Sequence, residues 1–218
     1  MEIKNFMIFG DSYSTHKNHI PEGYVYYYAD EGRDAGRDEQ KMLAEKTWWW
    51  QFKERTGAKL ILNNSWSGST IGYTGYSGDC SKTSSFICRY EKLFDAGFFK
   101  ENEIDTVFVF GGTNDDWSGA PLGEMKFSDF KREDLFSVLP AICYFVARLK
   151  KDLPETQIVF IINCGLRSEI IGCMKSAADY FGASVVELSG VDKEHSHPTI
   201  LGMTQICNQV AEQLNMKK

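Results

Sequence analysis

No apolar run in the chain approaches the ~18 residues of a membrane-spanning helix, so nothing in it is expected to cross a bilayer. It has no Lys/Arg run either. With a formal net charge of −6 over 218 residues, a nucleic-acid or anionic-membrane surface is not expected. Neither GxGxxG nor a P-loop pattern occurs, which removes support for a nucleotide-binding α/β protein. The opening stretch MEIKNFMIFGDSYST lacks the ~7–15-residue apolar region of a signal peptide, so a cytoplasmic location is the expectation. CxxC pairs are missing too. Cys80, Cys88, Cys143, Cys164, Cys173 and Cys207 mostly lie in apolar segments and read as buried free thiols, and no zinc site is expected.

What is there suits one domain spanning residues 1–218. A chain of this length buries about 70% of its unfolded surface without a disulfide or metal. Five short apolar runs end in turn residues: Ile3–Phe9, Lys59–Asn63, Asp105–Phe110, Gln157–Ile162 and Ala183–Leu188. Near-continuous apolar strands of this kind are covered on both faces. Helical stripes fall between them, at Thr47–Thr56, Ser84–Phe94, Asp129–Lys151 and Thr199–Leu214. Pro140 sits inside the third and predicts a kink or break. Alternating strands and helices imply an α/β fold, a three-layer sandwich around a mostly parallel five-stranded sheet. Two stretches fit neither class. Residues 16–46 are polar and carry Tyr24, Tyr26, Tyr27 and Tyr28, which marks a functional or covering insertion. Residues 65–82 are rich in Gly and Ser and read as loop.

Ligands of open α/β sheets collect at the carboxyl ends of the strands. There the chain carries GDSYS (Gly10–Ser14), NNSWSGST (Asn63–Thr70) and GGTNDDW (Gly111–Trp117), and beyond the fifth strand EHSHP (Glu194–Pro198). Taken singly, each reads as a turn, a helix cap or a flexible loop. Taken together, in this order, they place a serine, amide donors and a histidine on one rim. A metal site on His195 and His197 with Asp11 or Asp115 lacks a third close ligand in the spacing, and no cofactor is expected.

FGDSYS, NSWSGST, GGTND and HPTILGM resemble, in order, the four signature blocks of the SGNH hydrolases, also called the GDSL esterase/lipase superfamily. The resemblance runs from Phe9 to Met203. It implies a flavodoxin-like three-layer fold. It also implies Ser12 as nucleophile, Gly68 and Asn114 as oxyanion donors beside the Ser12 N–H, and a histidine of the last block as base. His197, followed by Pro198-Thr199 and Gly202-Met203, matches that block; His195 does not. Glu194 stands three residues before His197, where the family usually has Asp. Asp192 is the alternative acid, and a backbone carbonyl could replace both. The insertion is long for the family.

The expected reaction is hydrolysis of a carboxylic ester through an acyl-enzyme. The aromatics near the rim lean toward a small polar ester, in particular an acetylated sugar. They are Tyr24, Tyr26–Tyr28, Trp48–Trp50, Trp66, Tyr73, Tyr76 and Trp117; the competing reading is that several simply pack the insertion down. The alternatives are a lysophospholipase or thioesterase, and a non-catalytic carbohydrate-binding relative. No nucleic-acid or membrane partner is expected.

Overall fold

A computed structural model describes residues 3–31 and 41–216. Five parallel strands form the central sheet: β1 (Asn5–Gly10), β2 (Lys59–Ser65), β3 (Thr106–Phe110), β4 (Gln157–Ile162) and β5 (Ser184–Glu187). Their spatial order is β2-β1-β3-β4-β5. Five helices of nine residues or more pack on the sheet: α1 (Trp48–Thr56), α2 (Phe86–Asp95), α3 (Val138–Asp152), α4 (Ser168–Phe181) and α5 (Ile200–Gln213). No helix among the described residues is long and apolar enough to cross a membrane.

The period-two side-chain alternation of a strand divides the core into two layers. Met7 and Phe9, Val107 and Val109, and Ile158, Phe160 and Ile162 face α2, α3 and α4. Phe6 and Ile8, Phe108 and Phe110, and Val159 and Ile161 face α1 and α5. Both faces are buried, which is why the strands read as continuous apolar runs rather than alternating ones.

Two departures from the sequence reading have simple causes. Asp129–Lys151 is not one kinked helix. Arg132–Phe136 forms a short 3₁₀ turn, and α3 begins at Val138, so Pro140 is its third residue. The first four N–H groups of a helix lack an intrahelical partner, and a proline there sacrifices no hydrogen bond. Helix α4 is absent from the sequence reading, although Ile170, Cys173, Met174, Ala177 and Ala178 make a buried stripe. That stripe is built largely of small residues, and Gly172 interrupts it.

β1 and β3 lie side by side, but the chain leaves β1 toward one edge of the sheet and β3 toward the other. A crevice opens at such a switch point, outside the strands' carboxyl ends. In the sheet register, Gly10 pairs with Ser65 on one side and Phe110 on the other. The segments following all three strands therefore emerge at one level.

Candidate active site

Ser12 lies in a tight turn directly beyond β1. The Asp11 carbonyl accepts the Ser14 N–H at 3.1 Å, and the Asp11 carboxylate accepts the Tyr13 N–H at 3.0 Å. Only glycine fits before this turn, because a Cβ on Gly10 would stand 2.4 Å from Ser65 Oγ. Behind the turn, the Ser14 carbonyl accepts from Trp49 Nε1 at 2.9 Å and from Asn63 Nδ2 at 2.8 Å, and Trp48 Nε1 donates to Ser14 Oγ at 3.1 Å. Trp48 and Trp49 are thus buried anchors of the serine turn, and Tyr73 is buried as well. None of the three can present a face to a sugar.

His197 comes from the opposite end of the chain. A two-residue turn, His195-Ser196, joins Lys193–Glu194 to His197–Pro198 in a small antiparallel hairpin. Both turn residues have positive φ, 47° and 65°. Hairpin turns with two such residues match the twist of the strands but favour Asn-Gly, so His-Ser holds strain here. The strained turn brings the His195 carbonyl to 3.1 Å from His197 Nδ1. Nδ1 facing a carbonyl must carry the proton, which leaves Nε2 as the acceptor. Nε2 lies 3.0 Å from Ser12 Oγ. Burial and the nearby Lys193 ammonium both push the His197 pKa below its ordinary value, although the carbonyl contact opposes them.

Among the described residues Glu194 makes no hydrogen bond to His197, whose Nδ1 meets the His195 carbonyl instead. Glu194 is exposed, and it lies directly across the hairpin from His197, beside the groove that His197 lines. The turn backbone supplies the carbonyl that the sequence reading kept as the alternative to a carboxylate. Asp192 is also engaged elsewhere, for its carboxylate accepts from the Thr199 hydroxyl at the head of α5.

Gly68 occupies the φ-positive position (80°) of a turn closed by the Ser69 N–H on the Trp66 carbonyl at 3.1 Å. That is a type II arrangement, which favours glycine at this position. The N–H groups of Ser12 and Gly68 donate to no described residue. Asn114 stands on the short helix Thr113–Trp117 after β3 and is buried. Its Nδ2 donates to the Ser69 carbonyl at 3.0 Å, while its Oδ1 accepts from the Tyr76 hydroxyl at 3.0 Å. One amide hydrogen of Asn114 remains.

Two buried groups hold these loops together, and the sequence reading missed both roles. Asp115 accepts from the N–H groups of Ile71 and Gly72, which ties the Gly68 loop to the Asn114 helix. Burial pushes its pKa up to about 6. Arg89 from α2 is fully buried and reaches the Asn64 side chain at 2.7 Å, the Gly10 carbonyl at 3.2 Å and Ser69 Oγ at 3.1 Å. One guanidinium thus joins the ends of β1 and β2 to the Gly68 turn. The signal was a charged residue on the apolar stripe of α2, three residues after Phe86. Among the described residues no group of three or more His, Cys, Asp or Glu side chains could hold a metal ion.

The sequence model of the GDSL-like lipase/acylhydrolase family matches residues 4–214. The chain belongs to that family. It is an SGNH-type ester hydrolase. A candidate GDSL-like lipase from Bacteroides uniformis ATCC 8492 is 36% identical, with a TM-score of 0.88 over 98% of this chain and 96% of that one. One from Bacteroides ovatus ATCC 8483 is 33% identical, with a TM-score of 0.88 over the whole of both chains. The acetyl xylan esterase Est2A of the rumen bacterium Butyrivibrio proteoclasticus shares the fold at 16% identity, with a TM-score of 0.64 over 99% of this chain and 64% of that one. No curated protein matches significantly.

Proposed function

We propose that this GDSL-family hydrolase cleaves a small carboxylic ester through an acyl-Ser12 intermediate, and that its substrate is an acetylated carbohydrate. The observation that carries the reading is the 3.0 Å approach of Ser12 Oγ to His197 Nε2, the nitrogen left free to accept when Nδ1 donates to the His195 carbonyl. A serine hydroxyl is a weak nucleophile until a base takes its proton. His197 Nε2 takes it as Oγ attacks the carbonyl carbon. The oxyanion then accepts hydrogen bonds from the Ser12 and Gly68 N–H groups and from Asn114 Nδ2, donors fixed before the substrate arrives. Collapse expels the alcohol, which receives the proton from Nε2. A water then gives a proton to Nε2 as its oxygen attacks the acyl carbon; the C–Oγ bond breaks, Nε2 returns that proton to Ser12 Oγ, and the acid leaves.

The carbohydrate reading is supported by the aromatics left at the surface around these loops. Trp66 meets Tyr24 of the insertion with ring centroids 4.4 Å apart and planes tilted by 39°, while Tyr76 and Trp117 are exposed to 56% and 46%. Aromatic faces suit sugar rings. A longer acyl chain has one observation in its favour: the exposed Ile200 and Leu201 line a groove of about 280 Å³ beside His197. The test combines a fluorophosphonate probe with an ester series. The parent protein should label on Ser12, Ser12→Ala should neither label nor turn over, and acetylated xylo-oligosaccharides should be preferred to octanoyl esters. Unlabelled parent protein would sink the hydrolytic mechanism; a preference for octanoate would move the substrate to the lysophospholipase or thioesterase class.

A further inference from the structure

Among the described residues no carboxylate meets His197 Nδ1, and the position of the ring is held from three sides by tyrosines. Tyr27 lies flat on the imidazole, with ring centroids 3.6 Å apart and planes within 6°. The Tyr13 hydroxyl donates to the Ser196 carbonyl at 2.5 Å, and the fully buried Tyr28 hydroxyl donates to the Pro198 carbonyl at 2.7 Å. The backbone on both sides of His197 is therefore tethered. Two of these tyrosines come from the insertion, and their placement is itself fixed. The Tyr27 N–H donates to Thr15 Oγ1 at 2.9 Å, the Lys17 N–H donates to the Tyr28 carbonyl at 2.9 Å, and the Tyr27 and Tyr28 rings meet edge to face.

We propose that Tyr27 is a positioning residue for the base, and that its ring face does part of what a triad carboxylate does. The inference rests on the Ser12–His197 reading above. When Oγ gives its proton to Nε2, the ring becomes an imidazolium. A carboxylate on Nδ1 would balance that charge in full, whereas the His195 carbonyl offers only a dipole. An aromatic face carries negative quadrupole density and attracts a cation in contact with it. Stacking also resists rotation of the ring away from Ser12. Among the described residues, the charged and titratable groups around His197 are few. Lys193, on its own hairpin, opposes protonation; Tyr13 faces it from the serine turn, and Tyr27 from the insertion. Glu194 and Lys41 share the groove it lines.

The experiment compares Tyr27→Leu, Tyr27→Phe and a variant with pentafluorophenylalanine at 27, using kcat, KM, melting temperature and the pH profile of kcat/KM. The fluorinated ring keeps the shape and the packing but removes the negative face, so its effect does not depend on folding. Tyr27→Phe should stay within about twofold of the parent. The leucine and fluorinated variants should lose about 5–30-fold in kcat at nearly constant KM. Their acid limbs should move to lower pH, because the imidazolium loses its partner. A fluorinated variant equal to Tyr27→Phe overturns the proposal, as does a Phe variant as poor as the leucine one. Fluorophosphonate labelling of the parent separates the two readings: a labelled parent with an indifferent ring at 27 removes this inference alone.

Discussion

At the scale of single residues, Asn114 makes the sharpest claim. Its amide has one hydrogen on the Ser69 carbonyl, its oxygen under the Tyr76 hydroxyl, and one hydrogen left for an oxyanion. A donor that acts only on the transition state affects kcat rather than KM. Asn114→Ala should lower kcat by about 10²–10³ with little change in KM. Tyr76→Phe removes only the hydroxyl that fixes the amide, so it should lose several-fold in kcat by the same measurement. A loss confined to KM in either variant would assign these groups to substrate binding. Lys193 makes the second claim. The proposed mechanism needs His197 neutral, so kcat/KM should fall as pH drops through its pKa. Burial and the Lys193 ammonium hold that pKa below the ordinary 6.5, so the acid limb should lie at lower pH than for an exposed imidazole. Lys193→Met removes the opposing cation, and the limb should move to higher pH. A limb that stays in place would mean that Lys193 is too well solvated to act on the ring.

At the scale of elements, the strands were the most legible part of the chain, because a strand buried on both faces leaves an uninterrupted apolar run. Their ends were legible for a related reason: chemistry-bearing residues gather where apolar runs stop. Ser12, Gly68, Asn114 and His197 became candidates because the blocks that resemble the SGNH signatures lie within a few residues of such a stop or of the last helix. The group that meets His197 Nδ1 stood only as the alternative to Glu194 and Asp192, and nothing in the sequence ranked it first. A backbone carbonyl has no letter in the sequence, and two consecutive positive φ values at His195-Ser196 are not a habit of either residue. Arg89 and Tyr27 act across the fold, over separations that no local pattern encodes. Part of the insertion, residues 32–40, lies outside the described residues. The hairpin yields its own prediction. Because the carbonyl, and not Glu194, meets Nδ1, Glu194→Gln should keep kcat within about twofold; removing the acid of a working triad costs orders of magnitude more. Steady-state kinetics on an acetate ester would decide it, and a hundredfold loss would return Glu194 to the triad.

At the scale of the whole molecule, the crevice between β1 and β3 concentrates charge that the rest of the core avoids. Asp11, Asp115 and Arg89 are all fully buried there, with Asp115 and Arg89 bracing the loops that carry the proposed oxyanion donors. Among the described residues Asp11 Oδ2 finds no hydrogen-bond partner, and burial pushes the Asp11 pKa up to about 7. Burial likewise raises Asp115 to about 6 and lowers Arg89 to about 10. An acid whose folded pKa exceeds its unfolded value near 3.8 binds more protons when folded in the interval between the two. Unfolding stability then falls as pH rises through that interval and levels off above the folded pKa. For Asp11 the interval runs from about 4 to about 7, so the melting temperature should decline across it toward the pH at which His197 is neutral and active. Asp11→Asn keeps an oxygen for the Tyr13 N–H and carries no charge to bury. Its melting temperature should vary less between pH 4.5 and 7.5 than the parent's, and should exceed the parent's at the upper end. Equal slopes for the two proteins would show that Asp11 stays ionised in the fold, balanced by Arg89. The arginine would then be the counter-ion of the nucleophile turn as well as its brace.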